Sequence, residues 1–187
     1  MIVESTTIPD VKRIIPQRFT DGRGFFAETY HQAKLADLGI DVNFVQDNHS
    51  LSAKAGTVRG LHFQAAPHAQ AKLVRCGRGA IFDVAVDIRR GSPSFGKWVG
   101  TELSADNGHQ ILIPAGFAHG FVTLQPDSEI IYKCSDYYAP EFEGTLRWND
   151  PAIGIDWPLS GRAALNERDA NAPLLADLKS PFTWDCA

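Results

Sequence analysis

Residues 108–121 read GHQILIPAGFAHGF, and the fold is decided there. The apolar run Gln110 to Ile113 predicts a strand, and Pro114 and Gly116 predict a tight turn. Proline sets its own φ, and glycine bends without the penalty of a Cβ. His119 then begins a return strand running from Gly120 to Leu124, with its ring directed inward. Working outward, Lys72 to Cys76 and Ile130 to Cys134 are further strand candidates, separated by turns at Gly77 to Gly79 and Pro126 to Asp127. Between them lies the clearest strand, in which Phe82, Val84, Val86 and Ile88 alternate with Ile81, Asp83, Ala85 and Asp87. A period of two puts the first set on one face, and the two aspartates share the other, which is either solvated or the lining of a polar cavity and is read as solvated.

A helix is expected only from His31 to Leu38, with Leu35 and Leu38 three apart and Gly39 as the stop. The last 35 residues are less strand-like and are expected to form a short helical tail. Evenly spaced strands joined by turns point to a mainly β sandwich or barrel. At 187 residues, with no repeat or linker-like tract, the chain reads as a single domain. Eighteen Lys and Arg against 22 Asp and Glu give a net charge of -4, so nucleic acid is not an expected partner. No apolar run is long enough to span a bilayer, and charges and prolines interrupt the amino-terminal stretch where a secretory signal would need an apolar core. Cys76, Cys134 and Cys186 are odd in number and lack metal-ligand or CxxC spacing, which fits a reducing cytoplasm.

The spacing of Gly108, Pro114, Gly116 and His119 resembles the second signature of the cupin family. That resemblance implies a cupin-type double-stranded β-helix, a jelly-roll barrel with short peripheral helices. The matching first signature is RGLHFQ, residues 59–64, where cupins carry metal-ligating histidines and a glutamate. Here His62 is present, Gln64 occupies the second histidine position, and His68 follows a proline in an expected loop. His62 and His119 alone are a thin complement for a catalytic metal, which commonly needs about three protein ligands, so neither metal nor organic cofactor is expected. A lone histidine is ordinarily a hydrogen-bonded core residue. His62, however, has Arg59 and Lys72 nearby in sequence, and two cations with a titratable base suit proton transfer on a phosphorylated carbonyl compound.

Over nearly its full length the chain resembles the dTDP-4-dehydrorhamnose 3,5-epimerase family. The blocks that carry the resemblance are DGRGFFAETY, FVQDNHS, TVRGLHFQ, QAKLVRCGRGAIFDVAVDIRRGSPSFGKW, IPAGFAHGF, YKCSDYYAPEFEGTLRWNDPAIGIDWP and NERDANAPLL, in that order. The family implies a metal-free barrel that forms a homodimer, in which about the first 50 residues contribute strands exchanged onto the partner's sheet. It implies catalytic roles for His62 as base, Asp169 as the carboxylate that orients it, Lys72 as the cation at the keto oxygen and Tyr132 as the opposite-face acid. Substrate-binding roles follow for Arg23, Arg59, Gln46 and Asn48 at the diphosphate. Phe26, Glu28, Tyr138 and Glu143 match positions around the base and sugar, and His119 matches one lining the sugar site. Arg168 stands where many members carry lysine. The implied substrate is a dTDP-4-keto-6-deoxy sugar and the implied reaction is epimerisation at carbons 3 and 5. Three other readings compete with this one. A carbon-3-only epimerase would use the same base and acid, a non-catalytic sugar-binding cupin would not require an acid-base pair, and a metal-dependent oxygenase is disfavoured by Gln64.

Overall fold

The computed structural model describes residues 1–184, so Cys186 lies outside the described residues. In chain order the strands are β1 (Ile2–Ser5), β2 (Lys12–Ile15), β3 (Arg18–Asp21) and β4 (Gly24–Ala27), followed after the helix α1 (Gln32–Asp37) by β5 (Gln46–Ser52), β6 (Val58–Gln64) and β7 (Lys72–Arg78). Next come β8 (Ala80–Asp87), β9 (Trp98–Ser104), β10 (Gln110–Ile113), β11 (Phe117–Thr123), β12 (Ser128–Cys134) and β13 (Glu143–Thr145), and then the short helix α2 (Glu167–Ala170). The strands form a six-stranded sheet of order β1-β2-β10-β7-β12-β5 and a five-stranded sheet of order β13-β6-β11-β8-β9. The expected turn at Pro114 to Gly116 carries the chain from the first sheet into the second, and Gly116 occupies the left-handed region at φ +92. This is the jelly-roll expected from the sequence.

Alternation along the strands assigns each side chain to the barrel interior or to an outer face. Val74, Cys76, Ile81, Ala85, Ile111, Ile113, Phe117, Phe121 and Ile130 are buried together between the two sheets. Leu61, Phe63, Val84, Val86 and Ile88 pack on the outer face of the five-stranded sheet beneath Ile153, Ile155, Trp157, Leu175 and Phe182. The carboxy-terminal region is therefore mostly an irregular cover, with α2 and a single 3-10 turn at Leu175–Asp177 as its helical part. On the outer face of the six-stranded sheet, Ile14, Leu73 and Leu112 pack with Leu35 of α1 and with Ile40. The helix starts where expected, with the His31 side chain accepting from the Lys34 amide and Gly39 at φ +83 ending it.

The solvated reading of Asp83 and Asp87 is wrong. Both are fully buried, on the inward face of β8. The carboxy-terminal cover buries the Val84 face from outside, so both faces of this strand are interior and each carboxylate needs internal donors. Asp87 receives hydrogen bonds from Arg89, Ser92 and Ser94, and Asp83 receives them from His119.

Candidate active site

β6 carries the central residue of the site. Leu61 and Phe63 belong to the outer cluster, so Gly60, His62 and Gln64 face the barrel interior. Asp169 sits on α2, whose first turn is fixed by the Asn166 side chain accepting from the Asp169 amide at 2.7 Å. That cap aims the carboxylate at β6. Asp169 Oδ1 lies 2.7 Å from His62 Nε2, and Oδ2 accepts from the Gly60 amide at 3.0 Å. Close approach requires glycine at position 60. Its φ is +114, and a Cβ there would stand 2.6 Å from the His119 carbonyl oxygen and 2.7 Å from the Gly120 Cα. Burial alone would raise the Asp169 pKa. The hydrogen bonds from His62 and Gly60 outweigh it, helped by the fields of His62 and Arg168, and hold the carboxyl below its usual range. With Nε2 donating to this carboxylate, Nδ1 of His62 is left with a free lone pair.

Two adjoining cavities of about 200 Å³ each open on this dyad. The first is lined by Arg59, His62, Lys72, His119, Tyr132 and Asp169 among others, and the second by Gln46, Asn48, Tyr138 and Glu143 among others. His62, Lys72 and Tyr132 line both, so they stand where the two lobes meet. His62 comes from the five-stranded sheet, whereas Lys72 on β7 and Tyr132 on β12 come from the six-stranded sheet. Imidazole and phenol thus approach the cavity from opposite walls. Burial pushes the Tyr132 phenol up, with Cys134 and Glu143 adding to the rise, which keeps it a proton donor at neutral pH. Burial also pushes the Lys72 ammonium down, against opposing contributions from Cys134, Asp83 and Glu143.

The second lobe is organised by hydrogen bonds. Gln46 Nε2 donates to Asn48 Oδ1 at 3.2 Å, and Gln46 Oε1 accepts from the Tyr138 amide at 2.8 Å. At its rim Glu143 Oε2 accepts from Arg168 Nη1 at 2.7 Å and from the Tyr138 hydroxyl at 3.0 Å. Burial would raise the Glu143 carboxyl, but Arg168 and Tyr138 hold it low, and Glu143 in turn raises the Tyr138 phenol. Arg59 is fixed by hydrogen bonds to Ser52 Oγ and the Leu51 carbonyl oxygen, each 3.1 Å.

Arg23, Phe26 and Glu28 are not brought to this cleft within the single chain. Arg23 and Phe26 lie on the β3-β4 hairpin, which pairs only with itself and exposes Phe26. Glu28 is paired with Lys34 at 2.7 Å, beside a separate polar hollow. Gln64, standing at the cupin ligand position, is buried. It donates to the Tyr137 carbonyl oxygen at 2.9 Å and accepts from the Ala139 amide at 2.9 Å, which anchors the loop that carries Tyr138. His68 is turned to Asp136 at 3.1 Å. Among the described residues no group of three or more His, Cys, Asp or Glu side chains could hold a metal ion. Ser50, Phe121 and Asn166 also line the first cavity, and Asp83 lies behind it, bonded to His119; the sequence reading assigns none of the four to the site. Only Asp83 carries a signal, as a carboxylate on the strand face for which a polar cavity lining is the alternative to solvation.

A model of the dTDP-4-dehydrorhamnose 3,5-epimerase family matches residues 5–177. The chain is 57% identical over 176 residues to the dTDP-4-dehydrorhamnose 3,5-epimerase of Salmonella typhimurium, covering 94% of this chain and 96% of that protein. It is 52% identical over 184 residues to the enzyme of the same name from Sinorhizobium fredii, covering 98% and 94%. Among solved structures it is similar, with a TM-score of 0.95 and 44% identity over 99% of both chains, to a dTDP-6-deoxy-D-glucose-3,5-epimerase of Legionella pneumophila in complex with dTDP-4-keto-L-rhamnose.

Proposed function

The chain belongs to the dTDP-4-dehydrorhamnose 3,5-epimerase family, and from that premise we propose that it converts dTDP-4-dehydro-6-deoxy-D-glucose into dTDP-4-dehydro-β-L-rhamnose by inverting carbons 3 and 5. The observation that carries this reading is a carboxylate-held histidine on one wall of a cavity, with a phenol and a lysine on the other.

The 4-keto group acidifies the hydrogens on its neighbouring carbons. His62 Nδ1 takes one of them as a proton, and the electron pair of the broken C–H bond moves into the carbonyl to give an enolate. Asp169 stabilises the imidazolium that results, and its lowered pKa keeps it an anion able to do so. Lys72 faces the enolate oxygen, where a cation in a dry cavity stabilises charge that appears only as the reaction proceeds. Tyr132 then donates its phenolic proton to the carbon from the opposite face, and the C–H bond re-forms with inverted configuration. His62 afterwards releases its proton and the tyrosinate regains one through solvent, and the cycle serves the second carbon in the same way. His119 hydrogen-bonds the sugar, and the second lobe with Gln46, Asn48, Tyr138 and Glu143, together with Arg59 of the first lobe and Arg168 at the rim, receives the nucleoside diphosphate. Guanidinium forks suit its phosphate oxygens and the exposed Tyr138 ring suits stacking on thymine.

The working unit is a homodimer. Its support is the β3-β4 hairpin, which exposes Phe19, Phe25 and Phe26 and carries Arg23 away from its own cleft, so that Arg23, Phe26 and Glu28 serve the neighbouring subunit. Within the chain β1 pairs with β2 and β2 with β10, whereas the β3-β4 hairpin pairs with no other strand. Among the described residues no helix is long and apolar enough to cross a membrane. Cys76 and Cys134, free and buried among the described residues, suit the reducing cytoplasm in which we place the enzyme.

The test is proton NMR of dTDP-4-dehydro-6-deoxy-D-glucose with the protein in heavy water. Deuterium at carbons 3 and 5, with an L-rhamnose product trapped by a reductase, is expected. Deuterium at carbon 3 alone would make the protein a 3-epimerase, and none at either carbon would overturn the reading.

A further inference from the structure

Lys72 and Asp83 raise a charge question that the catalytic roles leave open. The Lys72 ammonium projects into the barrel and has no hydrogen bond or ion pair among the described residues. Asp83 is fully buried, and His119 Nε2, at 2.9 and 3.1 Å from its two oxygens, is its only side-chain partner there. A fully buried carboxylate with one donor is costly alone, and a half-buried ammonium with no partner is stabilised by an anion nearby. They stand on facing walls, Lys72 on β7 of one sheet and Asp83 on β8 of the other, and His119 lines the same lobe as Lys72.

We propose that Asp83 is a positioning residue for the epimerisation, serving as the counter-charge of Lys72 across the barrel with His119 fixing its carboxylate. This rests on the proposed role of Lys72 at the enolate oxygen.

The other groups facing Lys72 do not supply that charge. Cys134, its cross-strand neighbour on β12, has a thiol pushed up by burial and is neutral near pH 7. Glu143 on β13 is already paired with Arg168 and bonded by Tyr138, and Asp169 on α2 is taken by His62 and the Gly60 amide. Tyr132 on β12 stays protonated, its phenol pushed up by burial. His62 and Arg59 on β6 bring no negative charge, and Ile113, the neighbour on β10, is apolar. Asp83 is the remaining anion. Burial lowers the Lys72 pKa, and Asp83 is one of the groups that oppose the fall. An ammonium that lost its proton could neither balance an enolate nor keep its full donor strength, so the carboxylate acts on rate through Lys72 without touching substrate.

The test is a side-chain NMR titration of Lys72 Nζ, with Lys72→Arg supplying the assignment, in the wild type and in Asp83→Asn. The Lys72 midpoint is expected to fall by about one pH unit or more in the variant. The alkaline limb of kcat should move down with it by a similar amount while KM changes little. Asp83→Asn that folds and leaves the Lys72 midpoint in place overturns the proposal. So does a wild-type Lys72 that is neutral at pH 7, a result that needs no variant. A merely structural role would lower Tm without moving either midpoint. Because the lysine titration is read without substrate, its outcome is separate from that of the heavy-water exchange experiment, which tests the epimerase reading itself.

Discussion

Replacing Asp169 by asparagine keeps the volume of a fully buried side chain and changes one charge and one acceptor. The wild-type carboxylate accepts twice, from Gly60 N at 3.0 Å and from His62 Nε2 at 2.7 Å. Asparagine can accept only once in this plane. If its carbonyl oxygen serves Gly60, its NH₂ group faces His62 Nε2, and the ring must move its proton to Nδ1, the nitrogen that has to act as base. If the amide turns round, the buried Gly60 N–H is left facing a donor, at a cost of about 1–3 kcal/mol. The first arrangement therefore dominates, and the base-competent tautomer is rarer by that amount. The variant also loses the charge-assisted hydrogen bond to the imidazolium, a further loss of about 1.5–3 kcal/mol. Together these amount to about 2.5–6 kcal/mol, or a fall of about 10²- to 10⁴-fold in kcat. The aspartate-to-asparagine swap in a serine-protease triad, which costs about 10⁴ through the same tautomer error, sits at the upper end. The assay is the initial rate of deuterium incorporation at saturating substrate and neutral pH, with Tm measured alongside. A folded Asp169→Asn protein that exchanges within about fivefold of the wild type would refute the assignment of Asp169 as the residue that sets the His62 tautomer.

Other expectations follow from the same geometry. Tyr132→Phe should retain some hydrogen exchange at the carbons beside the ketone while losing inverted product by about 10²-fold or more, since the base wall is intact and the acid wall is not; inversion at the parent rate would remove Tyr132 from the mechanism. Gly60→Ala places a Cβ 2.6 Å from a carbonyl oxygen at φ +114, so it should cost about 2 kcal/mol or more, a Tm drop of about 4 °C or more, and should reduce exchange because the Gly60 amide orients Asp169. An alanine variant with unchanged Tm by calorimetry would contradict this close approach. Burial would raise the Asp87 carboxyl, but hydrogen bonds from Arg89, Ser92 and Ser94 hold it below its unfolded value. It therefore contributes stability that is fully present above the unfolded pKa of about 3.9 and is lost as pH falls through the lower folded value. A plot of Tm against pH should drop steeply below about pH 4 in the wild type, and Asp87→Asn should be less stable at pH 7 with a shallower acid limb. Parallel curves for the two proteins would show that Asp87 is not responsible.

Local rules made much of this molecule legible in its sequence. The turn at Pro114 to Gly116, the period-two pattern of β8, and the helix ended by Gly39 need only chain stereochemistry and side-chain alternation to be read. Their spacing gives a mainly β sandwich or barrel, while the jelly-roll and the choice of His62, Lys72, Tyr132 and Asp169 come from the resemblance to a known family. The depth of Asp83 and Asp87 could not be read, because the cover over the outer face of β8 comes from Ile153 to Phe182, a stretch with almost no periodic structure to announce it. The pairing of His62 with Asp169 is implied only by the family resemblance, since they are 107 residues apart and meet because an Asn166 cap aims a four-residue helix at β6. That His62 and Tyr132 occupy opposite walls is likewise a property of the two sheets facing each other, since sequence order says nothing about which sheet a strand joins. Alternation sets the direction of a side chain from its neighbours along one strand, whereas burial, pairing and facing depend on segments that only the folded chain brings together.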